Sequence, residues 1–132
     1  AFDFTVSAPL PRAGRFQGWS QDDVIYLIMP DRFADGDTAN DDPAASRGLL
    51  DRRDPRRYHG GDLAGIRRKL PYLKALGVTA IWMNPIFDNT NVPDTIETAN
   101  GRPTTAYHGY HAIDYYGVEE RFGTLADARA PV

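Results

Sequence analysis

The chain is 132 residues long with no cysteine, and its 15 basic against 18 acidic side chains leave a formal net charge of −3. Interspersed charges of both signs supply neither the basic stripe that grips nucleic acid nor a polybasic run for a membrane surface, and without thiols there is no disulfide framework and no thiolate metal site. The length is one domain's worth, no stretch reaches transmembrane length, and no signal-peptide pattern is present.

A start at Ala1 instead of Met points to a processed or excised product. Residues 1–20 scatter Pro9, Pro11, Gly14 and Gly18 among aromatics without a period and read as an irregular lead-in, which leaves 21–132 as the folded part. Val24-Ile25-Tyr26-Leu27-Ile28-Met29 is a continuous apolar run stopped by Pro30, short enough for a buried strand. The chain then turns polar over 31–57, and a loop of that length inside a compact domain is usually functional or disordered. Within it, Asp35-Gly36-Asp37-Thr38-Ala39-Asn40-Asp41-Asp42 crowds hard oxygen donors, as a Ca²⁺ ion with ~6 to 8 ligands requires. An EF-hand is excluded, because Asn40 stands at the sixth position and Ser46 at the twelfth, where Gly and Glu are needed. The alternative is a solvated acidic loop with Asx turns.

Tyr58-His59-Gly60-Gly61-Asp62 leads into a helix. Asp62 sits where an N-cap belongs, with a carboxylate that can accept the first free amides and that suits the positive end of the helix dipole. Leu63, Ile66, Leu70 and Leu73 recur at steps of three and four along one face, with Arg67, Arg68, Lys69 and Lys74 mostly on the other. Pro71 inside this pattern removes a hydrogen bond at a cost of roughly 3 kcal/mol and predicts a kink or short break. Gly77 suits the left-handed position after the helix. Val78-Thr79-Ala80-Ile81-Trp82-Met83 then reads as a strand apolar on both faces, as buried parallel strands are, bounded by Asn84-Pro85. The order is strand, loop, helix, strand. If the strands are parallel neighbours, the crossover is right-handed and both long loops leave from the carboxyl ends of strands, the ligand face of parallel α/β architectures.

Residues 88–105 read as a second long irregular loop, followed by an aromatic stretch from Tyr107-His108-Gly109-Tyr110 to Tyr115-Tyr116 with no helical period. Thr124 with Asp127 forms a capping box that opens a second helix, which Pro131 suits poorly. His59 and His108 each stand before a glycine at the end of a loop. Taken singly each reads as a hydrogen-bonded structural residue, and their similar contexts bring a ligand role for His108 closer to that reading without displacing it. Tyr110 and Trp82 read first as core, although an aromatic beside a polar loop can stack on the apolar face of a sugar. No nucleophile motif, phosphate loop or dinucleotide fingerprint is present, and capping explains Asp62 without catalysis.

The segments Asp23-Val24-Ile25-Tyr26 with Pro30-Asp31-Arg32-Phe33-Ala34-Asp35-Gly36-Asp37, Gly77-Val78-Thr79-Ala80-Ile81-Trp82 with Asn84-Pro85-Ile86, and Ala106-Tyr107-His108-Gly109-Tyr110 with Asp114-Tyr115 and Phe122-Gly123-Thr124 resemble the α-amylase family of glycoside hydrolases. The pattern is nearest to cyclomaltodextrinases and cyclodextrin glucanotransferases and spans residues 22–127. The resemblance implies an α/β fold, the N-terminal portion of a (β/α)8 TIM barrel comprising strand, loop, helix, strand and loop, and so not closed. It implies that Tyr110 stacks under the sugar at the cleavage subsite and that His108 lines the adjoining donor subsites. Asp35, Asp37, Asn40, Asp41, the Gly60 carbonyl and Asp62 match a calcium site, so Ca²⁺ is the expected cofactor.

The implied parent reaction is retaining hydrolysis or transfer at α-glucosidic bonds of starch-like glucans or cyclodextrins, by a secreted or periplasmic enzyme. The family's catalytic carboxylates belong to later strands. The resemblance therefore implies no catalytic residue in this chain, and the chain alone is expected to be inactive. The expected partners are an α-glucan oligosaccharide or polysaccharide and either the remainder of the barrel or a second copy, because two strands leave unpaired edges. Nucleic acid and membrane are not expected. The other readings are a non-catalytic calcium-dependent carbohydrate-binding or interaction module, and a structural fragment with no activity of its own.

Overall fold

The computed structural model describes residues 18–130. The lead-in expected over residues 1–20 lies largely outside them, as does Pro131. Strand β1 (Ile25–Ile28) is followed directly by one turn of helix, α1 (Pro30–Phe33), with Pro30 at the first helical position, where a missing N–H leaves nothing unpaired. Two 3-10 turns (Thr38–Asn40 and Ala44–Ser46) then organise the acidic loop before α2 (Leu63–Ala75). Strand β2 (Ala80–Met83) pairs in parallel with β1, from Ile25 opposite Ala80 to Ile28 opposite Met83. The expected succession of strand, loop, helix and strand is present, and the acidic loop leaves from the carboxyl end of β1.

Asp62 caps α2 by accepting the Gly65 amide, and Leu63, Ile66 and Leu73 are buried while Leu70 is half-buried. They pack with Ile28, Leu49, Tyr58 and Phe122 into one core cluster. Gly77 takes the left-handed conformation past the helix end, with φ of 90°.

Three expectations are corrected. Helix α2 continues through Pro71 without the short break. Pro71 and Arg67, whose carbonyl loses its usual amide donor, are both exposed, so solvent can replace the missing bond. The strands are not buried on both faces either. Leu27 is 64% and Trp82 52% exposed, because β1 and β2 form a sheet of two strands among the described residues and no further described strand pairs with either.

Residues 88–105, finally, are not irregular. They contain part of β3 (Phe87–Asn89) and a hairpin of β4 (Asp94–Ala99) and β5 (Arg102–Thr104), turned at Asn100 and Gly101 with φ of 55° and 72°. Asn-Gly is the pair that two-residue hairpin turns select, so the signal stood in the sequence. The aromatic stretch supplies β6 (Ala112–Val118), antiparallel to β3, with register shifts on both sides of Asp88. Ile113, Tyr115 and Tyr116 are all exposed, so no alternation of buried and exposed positions announces this strand.

Helix α3 (Leu125–Arg129) opens with the expected capping box: Thr124 accepts the Asp127 amide and Asp127 accepts the Thr124 amide. The described residues thus hold three two-stranded sheets and no closed barrel. Among them, no helix is long and apolar enough to cross a membrane.

Candidate functional site

Asp62 is fully buried at the start of α2. Its Oδ1 accepts the amides of Gly65 at 2.5 Å and Gly36 at 3.0 Å, and its Oδ2 accepts the Asp37 amide at 2.7 Å and the Asn40 side-chain amide at 3.3 Å. One carboxylate therefore caps the helix and clamps the acidic loop onto it. The approach is close enough that a Cβ at Gly36 would lie 2.1 Å from the Gly65 nitrogen.

The rest of the expected calcium set is gathered around the same loop. Asp35 and Asp41 share the Arg52 guanidinium, at 2.6 and 3.1 Å, and Gly60, with φ of 85°, lies so close that an added Cβ would sit 2.2 Å from Asp41 Oδ1. Burial, and then the neighbouring Asp35, raise the Asp41 carboxyl above its usual range, against the pull of Arg52. Two buried oxygens here, Asn40 Oδ1 and Asp41 Oδ1, have no hydrogen-bond partner. Orphaned oxygen donors among carboxylates are the chemistry a hard cation completes, so these residues fit Ca²⁺.

Asp31 was not anticipated. It is buried after β1 and accepts the His59 amide at 2.8 and 3.0 Å, the Gly60 amide at 3.2 Å and Arg32 Nε at 2.6 Å. Burial nonetheless pushes its carboxyl above the usual range. It fixes the Gly60 turn from beneath, and the hint in the sequence was an Asp-Arg pair directly after an apolar strand. The ring of His59 lies 3.1 Å from the Asp54 carbonyl through Nε2, the structural role expected of a histidine taken singly.

A second grouping forms beyond the carboxyl end of β2. Asn84 donates to the His108 carbonyl at 3.0 Å, and Gly109, with φ of 85°, packs where a Cβ would lie 2.1 Å from the Pro85 carbonyl oxygen. His108 Nδ1 accepts the Tyr110 amide at 3.0 Å, which places the proton of the neutral imidazole on Nε2. The His108 and Tyr110 rings are stacked with centroids 6.0 Å apart, and His111 meets His108 edge-on at 4.6 Å. Tyr110 is 65% exposed, so it is not the core residue its type suggested, and neither is Trp82, which contacts Trp19 at 5.4 Å. The structure thus brings His108 and Tyr110 together with an open aromatic ring. Glu119, another residue the sequence did not single out, is buried just after β6, and burial, then the adjacent Glu120, push its carboxyl up to about 7.

The chain matches the family model described as alpha amylase, catalytic domain, over residues 27–131. It is similar to the cyclomaltodextrin glucanotransferase of Klebsiella oxytoca, 45% identical over 105 residues that make up 80% of this chain and 15% of that protein. Among solved structures, CldA, described as the first cyclomaltodextrin glucanotransferase with a three-domain ABC distribution, superposes with a TM-score of 0.72 at 49% identity, over 80% of this chain and 21% of that one. The alpha-amylase from Geobacillus thermoleovorans complexed with acarbose gives a TM-score of 0.59 at 41% identity, over 81% and 18%. The chain therefore spans between a seventh and about a fifth of the length of these relatives. With the family model covering most of its length, this chain belongs to the alpha-amylase catalytic-domain family.

Proposed function

We propose that this chain forms the first strands, the acidic loop and part of the donor side of the sugar cleft of a retaining enzyme acting on α-glucosidic bonds of starch-like glucans or cyclodextrins, and that alone it performs neither hydrolysis nor transfer. The observation that carries this reading is the exposed Tyr110 ring, stacked on His108 and held beyond the carboxyl end of β2 by Asn84 and Pro85. A rigid amphipathic ring stacks on the apolar face of a pyranose. Retaining chemistry also needs two carboxyl groups ~5 to 5.5 Å apart across the scissile bond. By family resemblance those groups belong to later strands. A polymeric glucan does not cross a membrane, so the parent enzyme acts outside the cytoplasm, secreted or periplasmic. The uncovered flank of β1 and β2 is met by the remainder of the barrel or by a second copy.

Asp35, Asp37, Asn40, Asp41, the Gly60 carbonyl and Asp62 are the residues that would hold Ca²⁺ in this reading, supported by the orphaned Asn40 and Asp41 oxygens. The ion would supply charge balance to the loop and take no part in bond cleavage. The Asn40 amide contact to Asp62, at 3.3 Å, is the longest of four and the one an ion would replace. The second reading, a non-catalytic calcium-dependent carbohydrate-binding module, is favoured by the same pairing of an open ring with a cation-ready loop.

Hydrolysis of a chromogenic α-glucan and binding of a maltooligosaccharide are measured on one sample of confirmed intact mass, with and without a chelator. Binding without hydrolysis is expected. Hydrolysis by a chain of this mass would reassign the catalytic roles to carboxylates within it, and absence of binding would remove Tyr110 and His108 from the sugar site.

A further inference from the structure

We propose that Asp88, Glu119 and Glu120 form a separate site for a hard divalent cation, Ca²⁺, which ties β3 to the segment following β6. Asp88 lies in β3, and Glu119 and Glu120 directly follow β6. One oxygen from each of the three lies within 4.8 Å of the others. That is the span of oxygens on opposite sides of a Ca²⁺ ion at about 2.3 to 2.6 Å each.

The cluster carries a second, independent mark of a ligand. Glu119 is 1% exposed, and although its Oε2 accepts the Asn89 amide at 3.0 Å, its Oε1 is buried with no partner. Asp88 Oδ1 is likewise buried without a partner, and so is Asn91 Oδ1, three residues further along the chain. Among the described residues, Glu120 Oε1 accepts only the Ser46 hydroxyl, at 3.2 Å.

No lysine or arginine pairs with these carboxylates among the described residues. The adjacent Arg121 is committed elsewhere. Its guanidinium donates to the Asp41 and Ser46 carbonyls, the Ser46 hydroxyl and the Asp42 carboxylate, and lies over the Tyr58 ring. Converging carboxylates that leave water without a counter-charge are costly unless a cation joins them. An all-oxygen set selects the hard alkaline-earth class over zinc or copper.

The fold gives such an ion a purpose. The β3 and β6 pairing is broken by register shifts on both sides of Asp88, so its backbone ladder is a weak tie. Asn89, which donates its amide to Glu119, also accepts the His111 amide at 2.9 Å. The proposed ion would therefore steady the strand next to the His108 and Tyr110 grouping. This site shares no residue with the acidic loop.

The test is amide-resolved NMR of the chelator-treated chain titrated with CaCl2 alone and then with trace MnCl2, together with calorimetry on Glu120→Gln and Asp88→Asn. The expected result is Ca²⁺-dependent shifts and Mn²⁺ broadening at Asn89, Glu119 and Glu120, and at least tenfold weaker binding for that set of residues in both variants. Amides of Asn40, Asp41 and Gly60 report the acidic loop separately, so loss of one site is distinguishable from loss of the other. Shifts confined to the loop amides would overturn the proposal, with Glu119 then holding a proton in place of a metal. The wild-type titration decides the matter even if a variant fails to fold.

Discussion

Asp62 joins two elements with one carboxylate: Oδ2 accepts the Asp37 amide at 2.7 Å while Oδ1 accepts the Gly65 amide at 2.5 Å. The start of α2 and the acidic loop are therefore a single mechanical unit. Replacing Asp62 by Ala removes a cap worth about 1 kcal/mol. It also leaves buried donors such as the Gly36 amide unpaired, at about 1 to 3 kcal/mol each. Loss of helical signal by circular dichroism, or a denaturation midpoint shifted far to low urea, is expected for Asp62→Ala. A midpoint within error of wild type would show that the loop is held by other contacts.

Protonation should weaken the start of α3. The side chain and amide of Thr124 hold the Asp127 carboxyl below its ordinary value of 3.8. A lowered folded-state value means that stabilisation is fully present above 3.8 and is lost as pH falls through and below it. Asp54, lowered first by the Arg56 amide and also by Arg102, acts in the same direction. The Asp127→Asn variant should be less stable than wild type at neutral pH, and the difference should close as pH drops below about 3.8, followed by urea unfolding across the acid range. A difference that does not change with pH would separate the capping box from the charge of Asp127.

Tyr110 can be removed without touching the core, because its ring is exposed and no buried residue of the core cluster depends on it. Tyr110→Ala should leave the unfolding midpoint unchanged and weaken maltooligosaccharide binding at least tenfold, in line with about 1.4 kcal/mol or more of lost stacking. Tyr110→Phe keeps the ring face and should retain most of the affinity. Gly109→Ala, in contrast, drives a Cβ to within 2.1 Å of the Pro85 carbonyl oxygen and should disturb the neighbouring His108 amide as well, visible as shifts in an NMR spectrum. Equal binding by Tyr110→Ala and wild type would place the sugar elsewhere.

The exposed apolar residues of β1 and β2 should make the chain associate. Leu27 and Trp82 face one another in register and are 64% and 52% exposed. An apolar patch beside an unpaired strand edge favours self-pairing. Sedimentation velocity should show oligomers for wild type and a shift toward monomer for Leu27→Lys with Trp82→Lys. A wild-type chain that is monomeric at high concentration would show that this face is tolerated in water.

Features set by residues within four positions of one another were legible in the amino-acid order. The Asp62 cap, the Leu63, Ile66 and Leu73 stripe, the left-handed Gly77 and the Thr124 and Asp127 box all stand as the pattern implied, because helix signals are local. Pro71 does not break the helix for a tertiary reason: its cost depends on whether the freed carbonyl faces core or solvent, and here that flank is exposed. The grouping of His108 with Tyr110 could be named from family resemblance, whereas the exposure of the tyrosine depends on how Gly109 packs on Pro85. The convergence of Asp31 on the Gly60 turn and of Asp88 with Glu119 could not be read at all. The partners are about thirty residues apart, and only strand register and loop packing decide which buried oxygens meet a donor and which do not.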